Sequence, residues 1–414
     1  MVTLPQANLL VSFILSTHNR RHVTLDTLRH VKQCGLSPDA FEIFVIDNAS
    51  RDGTADAVAR QFRDVRLIRL KRNRGSCAKN VALPQARGRF IVFLDDDSHP
   101  QPGAVTRMIR KFETHPRLGA AVFTITLPDG SRECSAYPDV FIGCGTGFRR
   151  RALAQVGVLP DDFFMQAEEY DLSLRLLQAG WDVRSFDDLH VAHMKSPQAR
   201  VSRRTTRLDV RNNFRVAHRY LPDPWRRIIA NDWMRRYWMI AKRKGHRSAF
   251  LRGLIGGAVR SVFDNREPID PDVFEQFTRM KQVETRLRRA QKEHGLGTVL
   301  LIDLGKNVLP YWLAARECGI RLVGIADDRL AGFKYRGIPI VNDSVARRLD
   351  FDAAVVANTS PVHARQRREF WRQLDARPVI DLFESHSARQ LLGEPASVFD
   401  PAEFESRRTV ARSA

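Results

Sequence analysis

Residues 89–100 read Arg-Phe-Ile-Val-Phe-Leu-Asp-Asp-Asp-Ser-His-Pro, and this stretch narrows the choice of folds more than any other. Phe90 to Leu94 is an unbroken apolar run of strand length, the pattern of a strand covered on both faces of an α/β sheet. It leads straight into Asp95, Asp96 and Asp97, and Pro100 and Pro102 then stop the strand. Three adjacent carboxylates repel one another and lose hydration unless a cation sits among them. Oxygen-rich sites of this kind suit Mg2+ or Mn2+, and open α/β sheets bind ligands at the carboxyl ends of their strands. The residues therefore point to a metal–diphosphate site, with a solvated acidic turn as the competing reading.

The preceding chain repeats the theme. Residues 9–16 form a second apolar run, ending in Ser16-Thr17-His18-Asn19-Arg20. A helix is expected at 24–34, a strand at 41–47, and a loop from Asn48 to Thr54 ahead of a helix at 55–62. A strand at 65–70, the sequence Asn73-Arg74-Gly75-Ser76 and a helix at 77–86 complete the series. Strands alternating with short helices predict a mainly parallel, covered sheet. Its carboxyl rim would gather Thr17, Asn19 and Arg20 with Asp47 and the three aspartates. Further on come a helix to about 114, a strand at 120–127, and a helix expected at 149–156. Gly143, Gly145 and Gly147 permit close backbone approach to a ligand. Glu168-Glu169 leads into an amphipathic helix at 172–179, and short strands are expected near 183–186 and 189–193.

Five ordered motifs carry a resemblance. They are SxxNR at 16–20, VIDNASxDGT at 45–54, NxGxxxxN at 73–80, FLDDD at 93–97 and FFMQAEEYDLSLRLLQAGW at 163–181. About the first 200 residues resemble the inverting GT-A-fold glycosyltransferases of family 2, which include cellulose, chitin and O-antigen rhamnosyl enzymes. That resemblance implies that Asp47 contacts a nucleotide base in a pocket lined by Thr17, Asn19 and Arg20. It also implies that Asn73, Gly75, Asn80 and Asp96 help bind the nucleotide sugar. Asp95 faces the ribose or the ion, and Asp97 is the main ligand of a Mg2+ or Mn2+ that bridges the diphosphate. His193 takes a further metal or diphosphate contact, or is an ordinary strand histidine. Glu168-Glu169 stands where the family has Glu-Asp, so Glu169 is the implied general base, with Glu168 as its rival. Arg149 is a candidate for a substrate phosphate, or a solvated arginine at a helix start.

The chemistry is coherent apart from the family name. Displacing a nucleoside diphosphate requires stabilised leaving-group charge, and an acceptor hydroxyl needs a carboxylate to take its proton. The rival enzyme reading is a sugar-phosphate nucleotidyltransferase, whose first strand opens into a glycine-rich loop that Ser16-Thr17-His18-Asn19-Arg20 does not supply. The non-enzyme rival is an inactive scaffold that binds polyanions or membranes.

A chain of 414 residues exceeds one ordinary core. We read a GT-A domain at 1–222, a basic helical segment at 223–295, a Rossmann-like α/β domain at 296–390 and a tail at 391–414. The stretch around Leu304-Gly305-Lys306-Asn307 resembles the Rossmann-like domain of sugar O-acyltransferases, but it lacks GxGxxG, and Asp327 is the candidate for a ribose. Five cysteines without a CxxC pair fit reduced thiols in a cytoplasmic protein. No signal peptide or spanning run is evident. Of the net charge of +20, most lies between Lys195 and Arg260, where 18 basic residues face three acids. With Trp225, Trp233 and Trp238 among them, the expected partner is an anionic membrane surface. This places the protein in the cytoplasm, peripheral to the inner membrane; the block shows no groove-reading module for nucleic acid. The expected substrates are a nucleotide-sugar donor and a glycan or lipid-linked acceptor, in cell-surface polysaccharide biosynthesis.

Overall fold

The apolar runs become the centre of a mixed sheet. The computed structural model describes residues 9–194 and 202–384. Lys195, Arg200 and the expected tail lie outside those residues. The chain divides into two compact units: residues 9–134 with 139–194, and Ser135–Pro138 with 202–384.

The first unit contains β1 (Val11–Thr17), β2 (Phe41–Asp47), β3 (Arg66–Arg69), β4 (Phe90–Asp95), β5 (Ser98–Pro100), β6 (Leu118–Thr126), β7 (Arg132–Glu133), β8 (Thr146–Arg149) and β9 (Asp182–His193). The sheet order is β3-β2-β1-β4-β8-β6-β9-β5, with β7 paired to β6. Strands β1 to β4 run parallel in register, so that Thr17 stands beside Asp47 and Ser16 beside Asp95. Helices α1 (Arg21–Lys32), α2 (Thr54–Gln61), α3 (Ala104–Thr114), α4 (Arg150–Val156) and α5 (Glu168–Gln178) accompany it. Phe13, Leu15, Val92 and Leu94 from the central strands share one core with Leu28 of α1 and Met108 of α3.

Three differences from expectation have local causes. The helix expected at 77–86 is a 3-10 helix, Gly75–Gln85, with Pro84 inside its last turn. The two short strands before His193 are one long β9, whose register against β6 shifts midway. Arg149 is buried, and it donates to the carbonyls of Leu118, Phe112 and His115 at 2.6–3.1 Å. It pins α3 to the sheet and is not open to a phosphate.

The second unit holds a sheet of order β12-β13-β11-β10-β14-β15. Its strands are β10 (Thr298–Ile302), β11 (Arg321–Ala326), β12 (Lys334–Tyr335), β13 (Ile338–Val341), β14 (Ala353–Val356) and β15 (Val379–Ile380). All pairings are parallel except the β12/β13 hairpin. Helices α6 (Arg203–Tyr220), α7 (Trp225–Arg243), α8 (Arg247–Ser261), α9 (Pro271–Thr278), α10 (Met280–His294), α11 (Leu309–Glu317), α12 (Asp343–Ala346) and α13 (Pro361–Leu374) belong here. The basic segment is thus part of this unit, and α6, assigned by the 1–222 boundary to the first domain, packs here against α8. Trp225 and Trp233 are buried, and Trp233 donates to the Lys306 carbonyl at 3.1 Å, which removes both from any interface role. Asp327 accepts from the N–H groups of Leu304, Arg329 and Leu330, so its carboxylate staples a loop and is not free for a ribose. Lys306 is buried, with Nζ 4.1 Å from the Trp233 ring centre.

Candidate active site

Register alone brings the motifs to one rim of the first sheet. The parallel pairing of β1, β2 and β4 ends in Thr17, Asp47 and Asp95. Antiparallel β8 meets β4 at Thr146 and Phe93, which carries Gly143, Cys144 and Gly145 to the same end. Antiparallel β5 meets β9 at Ser98 and His193, so His193 arrives beside Asp97.

The three aspartates are in different environments. Asp95 is half-buried and takes a 2.8 Å ion pair from Lys79, whose Nζ also donates to the Gly143 carbonyl at 3.1 Å. Lys79 is buried, and burial disfavours its charge; Asp95 more than restores it and raises its pKa. Asp96 is buried against Arg20 at 2.8 Å. Burial pushes its carboxyl up to about 7; the Arg20 charge opposes this, and the neighbouring aspartate charges add to it. Asp97 is held by Arg20 at 2.9 Å and by His193 Nε2 at 3.1 Å. Burial works against its charge, yet His193 and Arg20 prevail and take it down to about 2.

Some buried polar atoms lack hydrogen-bond partners, and three of them sit at this rim: Asp47 Oδ1, His193 Nδ1 and Glu168 Oε2. A buried polar atom without a partner costs about 1–3 kcal/mol, so each is a place prepared for a ligand atom. One donor atom from each of Asp95, Cys144 and His193 lies within 4.8 Å of the other two. Together with the orphaned imidazole nitrogen, this donor set fits a divalent ion. Carboxylate, imidazole and thiol suit Mn2+ better than Mg2+, which prefers oxygen throughout.

The carboxylate pair stands at the start of α5 on a constrained loop. Phe164, Gln166 and Ala167 have φ of 69°, 72° and 66°, three left-handed non-glycine residues directly before Glu168. The NxGxxxxN motif holds this loop from below. Asn80 donates to the Leu159 carbonyl and to Asp161, both at 2.8 Å, and accepts from the Leu159 N–H. Ser76 donates to the Phe164 carbonyl and to Glu168. A Cβ on Gly75 would stand 2.0 Å from the Phe164 carbonyl oxygen, so glycine is required there. Asn73 accepts from the Gly75 N–H at 2.8 Å and closes that turn. Glu168 is buried; burial first, and the adjacent Glu169 second, raise its proton affinity. Glu169 is half-buried and reaches toward Gly143, where an added Cβ would lie 3.5 Å from its Oε1.

Residues 12–150, which carry four of the five motifs and the aspartate rim, match the family description "Glycosyl transferase family 2". This segment is similar to glycosyl transferase family 2. The chain is also similar to poly-beta-1,6-N-acetyl-D-glucosamine synthase of Staphylococcus epidermidis, 32% identical over 113 residues, 27% of each chain. The succinoglycan biosynthesis protein ExoO of Rhizobium meliloti is 36% identical over 106 residues, 24% of this chain and 29% of the relative. The matched stretch thus spans little more than a quarter of these relatives. Among solved structures, the mannosyltransferase PcManGT of Pyrobaculum calidifontis, in complex with GDP-Man and Mn2+, covers 61% of this chain and 87% of its own, at 20% identity and a TM-score of 0.44.

Within the first unit the expected residues fall into two groups. Thr17, Arg20, Asp47, Asp95, Asp96 and Asp97 gather at the rim, and His193 joins them from β9. Asn19, with φ of 54°, accepts from the Arg51 N–H and donates its own N–H to Ser50 Oγ, so it shapes the loop after β2. Asn73, Gly75 and Asn80 build the support beneath Glu168 and Glu169. Sequence reading missed Lys79 and Cys144. Each had one signal: a lysine inside NxGxxxxN, and a cysteine between two glycines.

Proposed function

We propose that the first unit transfers a sugar from a nucleoside-diphosphate donor to a hydroxyl of a glycan or lipid-linked acceptor. Anomeric inversion and a role in cell-surface polysaccharide assembly are part of this reading. One observation carries it: a single rim holds an unpartnered Asp47 oxygen, an Asp95–Cys144–His193 donor set and the Glu168–Glu169 pair. Two relatives with names tied to polysaccharide synthesis agree with it.

Asp47 Oδ1 is the acceptor awaiting an N–H from the base. Asp97, Asp95 and His193, with Cys144, would hold Mn2+ or Mg2+; when bound, the ion offsets the charge that grows on the departing diphosphate. Arg20 orients Asp96 and Asp97, and Lys79 orients Asp95. Glu168 keeps a proton at neutral pH, so the pair carries one charge, and Glu169 is the member open to an acceptor. It takes the proton of the attacking hydroxyl, an effect typically worth about 10²–10⁴ in rate.

The test is thermal stabilisation by UDP-, GDP- and dTDP-sugars with and without Mn2+. A ligand at a hundred times its Kd adds about 2.7 kcal/mol to native stability. One nucleotide class should raise the midpoint, with the gain depending on the ion and absent from Asp95→Asn. No shift with any donor under either condition would defeat the reading.

A further inference from the structure

Helix α8 is amphipathic in the reverse sense. Its buried face is Ala249, Phe250, Gly253, Gly257 and Ser261, mostly small residues. Gly253 and Gly257 let it approach α6 closely: a Cβ on Gly253 would lie 2.6 Å from the Arg207 carbonyl oxygen, and one on Gly257 3.1 Å from that of Arg211. The large apolar side chains point the other way. Leu251, Ile255 and Val259 repeat every four residues and are 51%, 63% and 56% exposed; Val262 and Phe263 extend the line at 78% and 83%. Ordinary surface helices do the opposite, turning their apolar stripe to the core. A contiguous exposed stripe marks an interaction surface.

We propose that this stripe is a docking surface for an anionic lipid bilayer. From Lys242 to Phe263 the sequence has six basic residues, Lys242, Arg243, Lys244, Arg247, Arg252 and Arg260, and no acid. At 100° per residue, Arg247 and Arg252 flank the stripe on opposite sides, the arrangement of a helix lying in a bilayer interface. The next residue, Asp264, is neutralised by Arg215 at 2.8 Å and Arg219 at 2.6 Å. Three side chains on one helix face, with two more just past its end, fall far short of the roughly 20–30 residues per side of a stable protein interface. A lipid surface needs no such area, since apolar insertion and headgroup attraction add together. No described helix is long and apolar enough to cross a membrane, so the surface lies on the bilayer. The earlier aromatic expectation is thereby relocated: Trp225 and Trp233 are core residues, and the apolar contact belongs to α8.

The experiment is co-sedimentation of the full chain with vesicles of equal parts phosphatidylglycerol and phosphatidylcholine, against pure phosphatidylcholine. Binding is expected to the anionic vesicles alone and to weaken with salt. Ile255→Ser with Phe263→Ser should lower affinity at least about tenfold, and Arg247→Gln with Arg252→Gln should flatten the salt dependence. Every substituted side chain is exposed, and thermal midpoints on the same preparations will verify folding. Unchanged binding by the Ser variant overturns the proposal. So does absence of vesicle binding, whether the chain runs as a monomer or as a dimer that Phe263→Ser dissociates. Donor-induced stabilisation is read separately, so a failure here leaves the transferase reading standing.

Discussion

The two units carry similar parallel strands but treat the charges at their carboxyl rims differently. In the second unit the aspartates are consumed internally: Asp303 and Asp343 share Arg367, Trp371 also donates to Asp343, and Asp327 binds three backbone N–H groups. Its unpartnered atoms there, Asn307 Oδ1 and Ser360 Oγ, are neutral. In the first unit an oxygen of Asp47 and one of Glu168 have no partner, and Asp95 faces a cluster of metal-type donors. Strand-end aspartates therefore do not announce chemistry. What distinguishes a reactive rim is acid whose hydrogen-bonding capacity the protein itself leaves unfilled.

The largest break in this contrast should come at the carboxylate pair. Glu169→Gln is expected to lower turnover by about 10²–10⁴ while donor-induced stabilisation persists. Glu168→Gln should cost far less, because an amide replaces an acid that already holds its proton. Turnover assays in which Glu168→Gln is the more damaging would exchange the two roles. A middle-sized effect is expected in the other unit. Asp327→Ala leaves three backbone donors without their acceptor, and should remove about 1–3 kcal/mol of stability in denaturant titration. Donor binding should be untouched; its loss would show that the second rim serves the first. A third effect is one of pH. Glu168 has a folded pKa of about 8, raised by burial and by Glu169, against about 4.3 unfolded. Its contribution is full below the unfolded value and is lost as pH rises through about 8. The wild-type melting temperature should therefore fall across that window, and Glu168→Gln should flatten the slope. An identical slope in both proteins would remove Glu168 as its source.

The first sheet was readable because its strands are apolar on both faces and end in motifs whose order is itself informative. Thr17, Asp47 and Asp95 arrived together because parallel register follows from those runs. Cys144 and His193 were harder to foresee together, since antiparallel β8 and β9 bring them in from distant sequence and no local pattern encodes that. The roles of Asp96, Asp97 and Arg149 turned on which cation or carbonyl lay within 3 Å, a matter of packing that residue type does not specify. Helix α8 escaped notice for a different reason. Its apolar residues have helical spacing, and spacing alone does not say which face is turned outward.

The three left-handed residues ahead of Glu168 restrict how this protein can change. Phe164, Gln166 and Ala167 hold backbone angles that β-branched residues avoid, so drift at these positions is confined to a small set of residue types. Glycine at Gln166 or Ala167 would relax the chain and favour thermal tolerance, yet widen the range of positions open to Glu168 and Glu169. A programme of stabilisation that ranked positions by local discomfort would choose this loop first and erode turnover for each degree gained. Durability is better sought at sites far from the segment.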